Sequence, residues 1–338
     1  MRWLLGILVL IGAVVAAAWV GGETWAARQA TQMIADDPRV QAASVTPLRE
    51  PSRIGLHLAD VAIETPQGPA ALPALDLWAA PTSPNEFHAT LPAEMTLPVA
   101  GTMRRVAAGG ANLSLRVSPL NEMAVSRASA VSGPVTVDGA PLLSRLDAAA
   151  VLAPLGGASP RAARAAYEVT ADLADLTPAG IVAGLPPALA QGGPLSASGA
   201  ARLFLTGTIQ PDGVPPRLVG LASDGVTLTL GDRALRLAGQ VSTGADGLAE
   251  GAVFVDTADA AEWLRLAAEL GMIPPAAVPL ATTALATASA ATSDTPLPLG
   301  IIAPPPPAEG MLRLALIFRD GKSFLGPVAL GPAPEFPK

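Results

Sequence analysis

The spacing of apolar residues divides the 338-residue chain into a continuous N-terminal run, a short helical stretch and a long stretch of alternation. The run Trp3–Gly22 contains no charged residue. As a helix it spans about 30 Å, which matches the hydrocarbon core of a bilayer. Residues 1–22 are therefore predicted to form a transmembrane anchor.

The flanks of this run predict its orientation. Arg2 and the α-amine form the only basic cluster beside it, which favours a cytoplasmic N-terminus and a body on the far side of the membrane. Ala16, Ala17 and Ala18 also fit the small-residue pattern of a signal-peptide cleavage site. Cleavage near Ala18 is thus the alternative to a retained anchor, and both place the body on the far side.

A helical stalk is predicted over 23–43. Glu23–Asp37 is rich in Ala and contains neither Gly nor Pro before Pro38, so it favours a continuation of the anchor helix.

From residue 44 onward apolar residues recur at every second position, as in a strand with one buried face. The alternating apolar sets are Ile54, Leu56 and Leu58; Leu75 and Leu77; Phe87, Ala89 and Leu91; Leu113, Leu115 and Val117; Val135 and Val137; Leu203 and Leu205; Val226, Leu228 and Leu230; Leu235 and Leu237; and Leu312, Leu314, Leu316 and Phe318. Short strands at such close spacing predict an antiparallel sheet.

Asp-Gly pairs support this sheet, because a two-residue hairpin turn needs positive φ at both central positions. They occur at Asp138-Gly139, Asp212-Gly213, Asp224-Gly225, Asp246-Gly247 and Asp320-Gly321. The last pair predicts a C-terminal β-hairpin over Leu312–Leu330, within a final segment 310–338.

The body is predicted to divide at the Gly- and Pro-rich stretch Ala153–Pro160, into a first β section over 44–156 and a second over 157–273. The segment 274–309, rich in Ala, Thr and Pro, is predicted to hold a helix near 276–290 and an extended linker that ends in four prolines.

One helix is expected among the strands, over 259–270. Asp259 and Glu262 fit a capping box, and Gly271 suits the position after the helix. Trp263 begins an apolar stripe with helical spacing, and we expect it to be buried against the sheet.

Composition narrows the possible functions. The net charge of −7 argues against a nucleic-acid partner, since phosphate backbones require clustered Lys and Arg. The absence of cysteine excludes disulfides, thiol nucleophiles and thiolate metal sites. Only 4% of residues are aromatic, so the interior depends on Ala, Leu and Val.

Few residues suit catalysis. His57 and His88 are the only histidines, and both fall on the polar, solvent-exposed side of an alternating segment. The acid pairs Asp172 with Asp175 and Asp36 with Asp37 are the nearest candidates for carboxylate chemistry. Asp172 shares a predicted solvated strand face with Glu168 and Thr170, so we assign no catalytic, cofactor or metal-binding residue.

Two later segments carry a resemblance, LRLAGQVSTGADGLAEGAVFVDTADAAEWLRLAAELG and the closing FRDGKSFLGPVALGPAPEF. With the single N-terminal membrane helix and the β-rich body, the chain resembles the bacterial envelope family called domain of unknown function 2125, over nearly its whole length. Its strand-turn units are more remotely similar to those of AsmA-like envelope proteins. The first family carries no assigned activity, and the second similarity implies an elongated, curved sheet with an apolar inner surface.

These observations together predict a mainly β protein anchored in the bacterial inner membrane, with its body in the periplasm. The function favoured is non-enzymatic, as a scaffold that binds lipid or another apolar ligand. The alternatives are an adaptor that binds envelope proteins through sheet edges or the Pro-rich segment, and a carboxylate-based hydrolase.

Overall fold

The computed structural model describes residues 21–178, 187–210, 214–270, 303–325 and 328–336, with the single positions 279 and 301. The chain is mainly β, and its strands pair antiparallel, as predicted. It divides into two compact units. Unit 1 comprises Met1–Pro119 and Ala128–Pro141, and unit 2 comprises Leu120–Arg127 and Leu142–Lys338.

Helix α1 covers residues 21–36. Among the described residues, no helix combines the length and apolar character needed to cross a membrane. Residues 1–20, which hold almost all of the predicted anchor, lie outside the described residues, so the anchor stays a prediction.

The predicted stalk over 23–43 is longer than the helix. Pro38 cannot continue α1, and the Asp37 carboxylate accepts a hydrogen bond from the Arg39 backbone N–H at 3.0 Å, which stabilises a turn instead. Strand pairing begins directly afterwards, at Val40.

The first eleven strands are β1 (Val40–Gln41), β2 (Ser44–Pro47), β3 (Ile54–Thr65), β4 (Gly68–Ala80), β5 (Ser83–Thr90), β6 (Glu94–Val99), β7 (Thr102–Ala108), β8 (Asn112–Ser118), β9 (Ala124–Ser132), β10 (Val135–Val137) and β11 (Ala140–Leu143). In unit 1, β3 pairs with β1 and β2 at one edge and with β4 at the other. β4 pairs with β5 and β6, β5 with β8, β6 with β7, and β7 with β10.

The strands of unit 2 follow one another as a meander. They are β12 (Arg145–Ala153), β13 (Ala165–Leu176), β14 (Leu195–Leu205), β15 (Leu218–Leu230), β16 (Arg233–Thr243), β17 (Ala249–Thr257), β18 (Leu312–Arg319), β19 (Lys322–Leu325) and β20 (Val328–Pro332). Each pairs with the next in the chain. The helices α2 (Pro187–Gln191) and α3 (Ala260–Glu269) accompany them.

The predicted boundary at Ala153–Pro160 does not separate the two units. This stretch belongs to the connection between β12 and β13, which pair over their whole common length from Arg145 to Ala153. Gly and Pro therefore mark a hairpin connection here, and the chain changes unit after Pro119, after Arg127 and after Pro141.

The Asp-Gly pairs behave in different ways. Asp138-Gly139 and Asp320-Gly321 have positive φ at both positions and connect paired or adjoining strands, as predicted. Asp224-Gly225 lies inside β15, where the pairing with β16 shifts between Ser223 and Val226, so the predicted turn is wrong and the pair forms a β-bulge. Asp246-Gly247 lies between β16 and β17, and Asp212-Gly213 lies outside the described residues.

Helix α3 begins where the sequence predicts, but without the predicted capping box. Asp259 occupies the N-cap position, and its side chain makes no capping hydrogen bond. Its backbone carbonyl instead accepts hydrogen bonds from the N–H groups of Glu262 and Trp263 at 3.0 and 3.1 Å. Gly271 and the predicted helix near 276–290 fall outside the described residues, apart from position 279.

Burial along α3 also differs from the prediction. Ala260 and Leu266 are the buried residues of this helix, whereas Trp263 is only half-buried. Leu264 packs against Leu325 of the sheet, as Leu314 does. The main apolar anchor of α3 is therefore Leu266 and not the larger Trp263.

The side chain of Tyr167, on β13, is hydrogen-bonded to two backbone groups elsewhere in unit 2. The Tyr167 side chain is 1% exposed. Its hydroxyl donates to the Val125 carbonyl at 2.8 Å and accepts from the Ile209 N–H at 3.0 Å. It thus satisfies two backbone groups that belong to different segments of the chain.

We expect Tyr167→Phe to lower the free energy of unfolding by about 1–3 kcal/mol, because it leaves these backbone groups without their partner. Urea unfolding followed by Trp fluorescence measures the change. Thr170→Val, at an exposed position of the same strand, is the control and should change stability by less than about 0.5 kcal/mol. A loss for Tyr167→Phe no larger than that of the control would contradict this role.

Burial raises the pKa of Tyr167, and the Ile209 N–H opposes this shift more weakly. Since the folded state holds this proton more tightly than the unfolded state, the contribution to stability is complete below pH about 10 and is lost as the pH rises further. Tyr167 is the only tyrosine. Near-ultraviolet titration of the folded chain should therefore show tyrosinate forming at higher pH than in the urea-unfolded chain.

Candidate apolar binding site

The register of β12 to β18 brings apolar residues into rows across one face of unit 2, because directly paired residues share a face of the sheet. The rows are Leu146, Leu173, Ala197, Leu228 and Leu235; Ala148, Ala171, Gly199, Val226, Leu237, Val255 and Leu314; Ala150, Val169 and Ala201, continued beyond the bulge by Gly239, Val253 and Leu316; and Leu152, Tyr167, Leu203, Leu221, Val241, Gly251 and Phe318. No row contains a charged side chain. We call this side of unit 2 the apolar face.

On β12 to β14 the second and third rows form a floor of mostly small residues, interrupted by Val169 between Ala150 and Ala201. These floor residues are Ala148, Ala150, Ala171, Gly199 and Ala201. Leucine-rich rows border them on both sides. We call this floor with its two bordering rows the apolar groove.

Gly199 is required by the backbone at the floor. Its φ is +145°, and a Cβ there would lie 2.6 Å from the Gly225 carbonyl oxygen and 2.8 Å from the Val226 Cα. A side chain at this position would therefore strain the β14–β15 pairing as well as fill the floor.

Part of the groove is open to solvent. Ala171 and Gly199 of the floor are exposed, and Leu221 of the bordering row is 40% exposed. The buried clusters of the apolar face lie nearer its margins, around Tyr167 and around Phe318. A ligand in the groove would remove aliphatic surface from water. The free energy gained by such burial is about 25 cal/mol for each Å² of apolar surface.

Helix α3 packs near the far end of the second row. The second row runs from Ala148 through Ala171 to Leu314. There Leu264 of α3 and Leu314 both pack against Leu325. An extended ligand that follows this row from the open floor would therefore reach α3.

The opposite face of the same strands, which we call the polar face for its charged residues, also carries buried apolar clusters such as Ala166 with Phe204 and Phe254 with Ile317. Asp147, Asp172, Ser198, Thr227 and Arg236 form one row across β12 to β16. The charged side chains of this row therefore lie on the opposite side of the sheet from the groove.

The candidate acids do not converge with the groove. Asp172 lies on the polar face, exposed like Thr170 and Glu168, and Arg145 is within 3.7 Å of its carboxylate. Asp175 accepts a hydrogen bond from the Ser144 hydroxyl at 2.8 Å.

The second acid pair lies at the end of α1, in unit 1. Hydrogen bonds from the Arg39 side chain and backbone hold the pKa of Asp37 at about 2, so this carboxylate is ionised at neutral pH. Asp36 is exposed at the last position of the helix. A group that stays ionised in this way is unsuited to act as a general acid.

Both histidines lie on one polar face of unit 1, half-buried rather than fully exposed. His57 Nδ1 is 2.6 Å from Asp76 Oδ1. His88 stacks on Trp78 with ring centroids 4.0 Å apart, and the Arg53 guanidinium lies 4.8 Å from the Trp78 ring. The sequence analysis missed this stack. The alternation along β4 could have indicated it, because Trp78 lies two residues after Asp76 and therefore on the same face.

In the described part of the chain no group of His, Asp and Glu is arranged to hold a metal ion.

The other face of these unit 1 strands is apolar and exposed. Ile54, Leu77, Phe87 and Leu113 are between 38% and 50% exposed. The pairings of Ile54 with Ala79 and of Ala79 with Phe87, like those of Leu77 with Ala89 and of Ala89 with Leu113, place them on one face. The prediction that this alternation marks a buried face is therefore wrong at these four positions, because the described residues of unit 1 leave them uncovered.

A model of the bacterial family DUF2125, described as an uncharacterized protein conserved in bacteria, matches residues 25–334. The chain belongs to this family. The match to DUF2125 spans both units, from within α1 to beyond β20. No curated protein and no solved structure matches the chain. The similarity to AsmA-like proteins stays a prediction.

Proposed function

We propose that this DUF2125 protein holds lipid acyl chains in the apolar groove of unit 2 without changing them chemically. The observation that carries the proposal is the uncharged groove itself, with small residues on its floor and the exposed Leu221 at its border. A straight hydrocarbon chain fits a floor of Ala and Gly, and its burial would be favourable there.

The predicted anchor supports the same function, because it would hold the body near a lipid source. We place the anchor in the inner membrane and the body in the periplasm. The remote similarity to AsmA-like proteins agrees with this proposal, since it implies a curved sheet with an apolar inner surface. The exposed apolar residues of unit 1 add further surface of the same chemistry.

The decisive experiment is to identify what co-purifies with the full-length chain. The protein would be extracted in detergent and examined by native mass spectrometry and lipid extraction, and its transfer of labelled phospholipid between vesicles would be measured. We expect lipid in stoichiometric amount. Absence of both bound lipid and transfer would overturn the proposal and favour an adaptor that binds other envelope proteins.

A further inference from the structure

The exposed apolar residues of unit 1 form one patch, made of Ile54, Leu77, Phe87 and Leu113 on one face of β3, β4, β5 and β8. We call these four residues the unit 1 patch. Together they expose roughly 300 Å² of apolar surface, a size at which such patches are often functional. The exposure is local, since Leu58, further along the same face of β3, is buried.

The unit 1 patch lies beside the start of α1. The backbone N–H of Gly55, the residue after Ile54, donates to Glu23 Oε1 at 3.0 Å. Arg49, just before β3, donates to the Thr24 hydroxyl at 3.0 Å. Glu23 is only 1% exposed, so this contact is enclosed by the protein. The first turn of α1 is therefore held against the strand end that carries Ile54.

α1 and β3 run side by side in the same direction. They meet at Gly55 near the start of both, and beyond the end of α1 Val40 pairs with Ile63. The lengths agree, because helix 21–36 and strand 55–63 each span about 25 Å. All four patch residues lie within two neighbouring rows at the Gly55 end. The unit 1 patch therefore lies at the end of unit 1 where α1 begins.

The predicted anchor indicates what meets the patch. The run Trp3–Gly22 is uncharged and is long enough to be used completely in crossing a bilayer, so it leaves no segment to cover the patch. Gly21 and Gly22 lie at the junction with α1, where a glycine pair allows a bend toward the membrane surface. Trp25, in the next turn, is 66% exposed, and Trp is a residue type that favours the membrane interface.

The charged residues next to the patch are paired with one another. Arg53 lies 3.6 Å from Glu50, and Arg116 donates to Glu86 at 3.1 Å. Apolar contact is therefore the main attraction that this surface offers, and a lipid surface without net charge suits it.

We propose that the unit 1 patch docks on the lipid surface of the membrane that holds the predicted anchor. An apolar contact of this size gives only weak, reversible membrane binding by itself. The anchor would make the contact intramolecular and thereby raise its occupancy. The inference goes beyond the proposed function, because it concerns unit 1 and holds whether or not the groove of unit 2 binds lipid.

The absence of cysteine allows a single fluorescent label to be placed on the patch, as Leu113→Cys. The labelled full-length chain would be reconstituted as one copy per phosphatidylcholine nanodisc. Ser114→Cys is the matched control, since Ser114 is the next residue of β8 and its side chain lies on the opposite face, hydrogen-bonded to Ser129. We expect a nitroxide-bearing lipid to quench the Leu113→Cys label about threefold more strongly than the control label, because interfacial side chains insert below the headgroups. A water-soluble quencher should show the opposite order.

Phe87→Glu, made in the labelled Leu113→Cys chain, tests the patch itself. We expect it to reduce the docked population about tenfold, because it removes aromatic surface and places a charge at the lipid contact. Gln67→Glu adds the same charge in the exposed turn between β3 and β4 and should leave the quenching unchanged. Both positions are exposed, so both variants should keep the thermal midpoint of the unaltered chain.

Equal quenching of the two labels by the nitroxide-bearing lipid would overturn the proposal. Shielding of the Leu113→Cys label from both quenchers would also overturn it, because the patch would then be covered by protein. Shielding that appears only with two copies per nanodisc, without lipid quenching of a single copy, would assign the patch to a second copy of the chain instead. Lipid quenching that Phe87→Glu leaves unchanged would show that the label rather than the patch makes the contact, and would overturn the proposal as well.

Discussion

The lipid that co-purifies with the full-length chain is expected to fall about tenfold or more in the Ala171→Trp variant. Ala171 is an exposed floor residue of the apolar groove, so an indole ring there occupies the space of an acyl chain without displacing buried neighbours. Exclusion of even two methylene groups from the groove costs about 1.6 kcal/mol, which corresponds to more than a tenfold loss of affinity. Native mass spectrometry and lipid extraction measure the amount bound.

Thr170→Trp provides the matched control for this variant. Thr170 is the preceding residue on β13, equally exposed, and it lies on the polar face. The same ring is thus added to the same strand on the opposite side. We expect this control to retain its lipid, and both variants to keep the thermal midpoint of the unaltered chain. Equal lipid content in the two variants would show that the groove is not the binding site.

Asp256→Ala is expected to lower the free energy of unfolding by about 3–5 kcal/mol. Asp256 and Arg313 are paired across β17 and β18, with two N–O distances of 2.6 Å, and their side chains are only 4% and 12% exposed. Arg313 also donates to the Pro304 carbonyl at 2.8 Å, so it cannot turn to solvent without breaking a second contact. The substitution leaves an uncompensated buried charge, and urea unfolding measures its cost.

Two further variants separate this effect from simple loss of an ion pair. Replacing both partners, as Asp256→Leu with Arg313→Met, removes the charge along with its partner and should cost much less than Asp256→Ala. Glu262→Ala breaks the exposed pair with Arg265 and should cost about 0–1 kcal/mol. If Asp256→Ala is as mild as Glu262→Ala, the pair does not stabilise the β17–β18 junction.

Strand positions were predictable from sequence because alternation is a local signal. Leu312 to Phe318 and Val226 to Leu230 both fall within strands as predicted. Turn chemistry was less reliable. Asp320-Gly321 forms its hairpin turn. Asp224-Gly225 instead lies within a strand, because β15 continues on both sides of this pair and is hydrogen-bonded to β14 and β16.

Burial and the groove could not be predicted in the same way. Alternation assigns Leu77 and Phe87 to the apolar face of their strands. It does not show whether other residues cover that face, and both side chains are in fact exposed. The groove floor depends on which strands pair and in what register. Ala171 and Gly199 are far apart in sequence, and only the register of β13 with β14 makes them neighbours.

The neighbour-to-neighbour pairing of unit 2 also sets the order in which its parts form. From β13 to β17 each strand pairs with the one before it, so these hydrogen bonds become available in order as the chain is synthesised from its N-terminus. β18 follows β17 only after residues 258–311, a longer loop with a larger closure entropy. The floor strands β12 to β14 can therefore pair while β18 and β19 are still being synthesised.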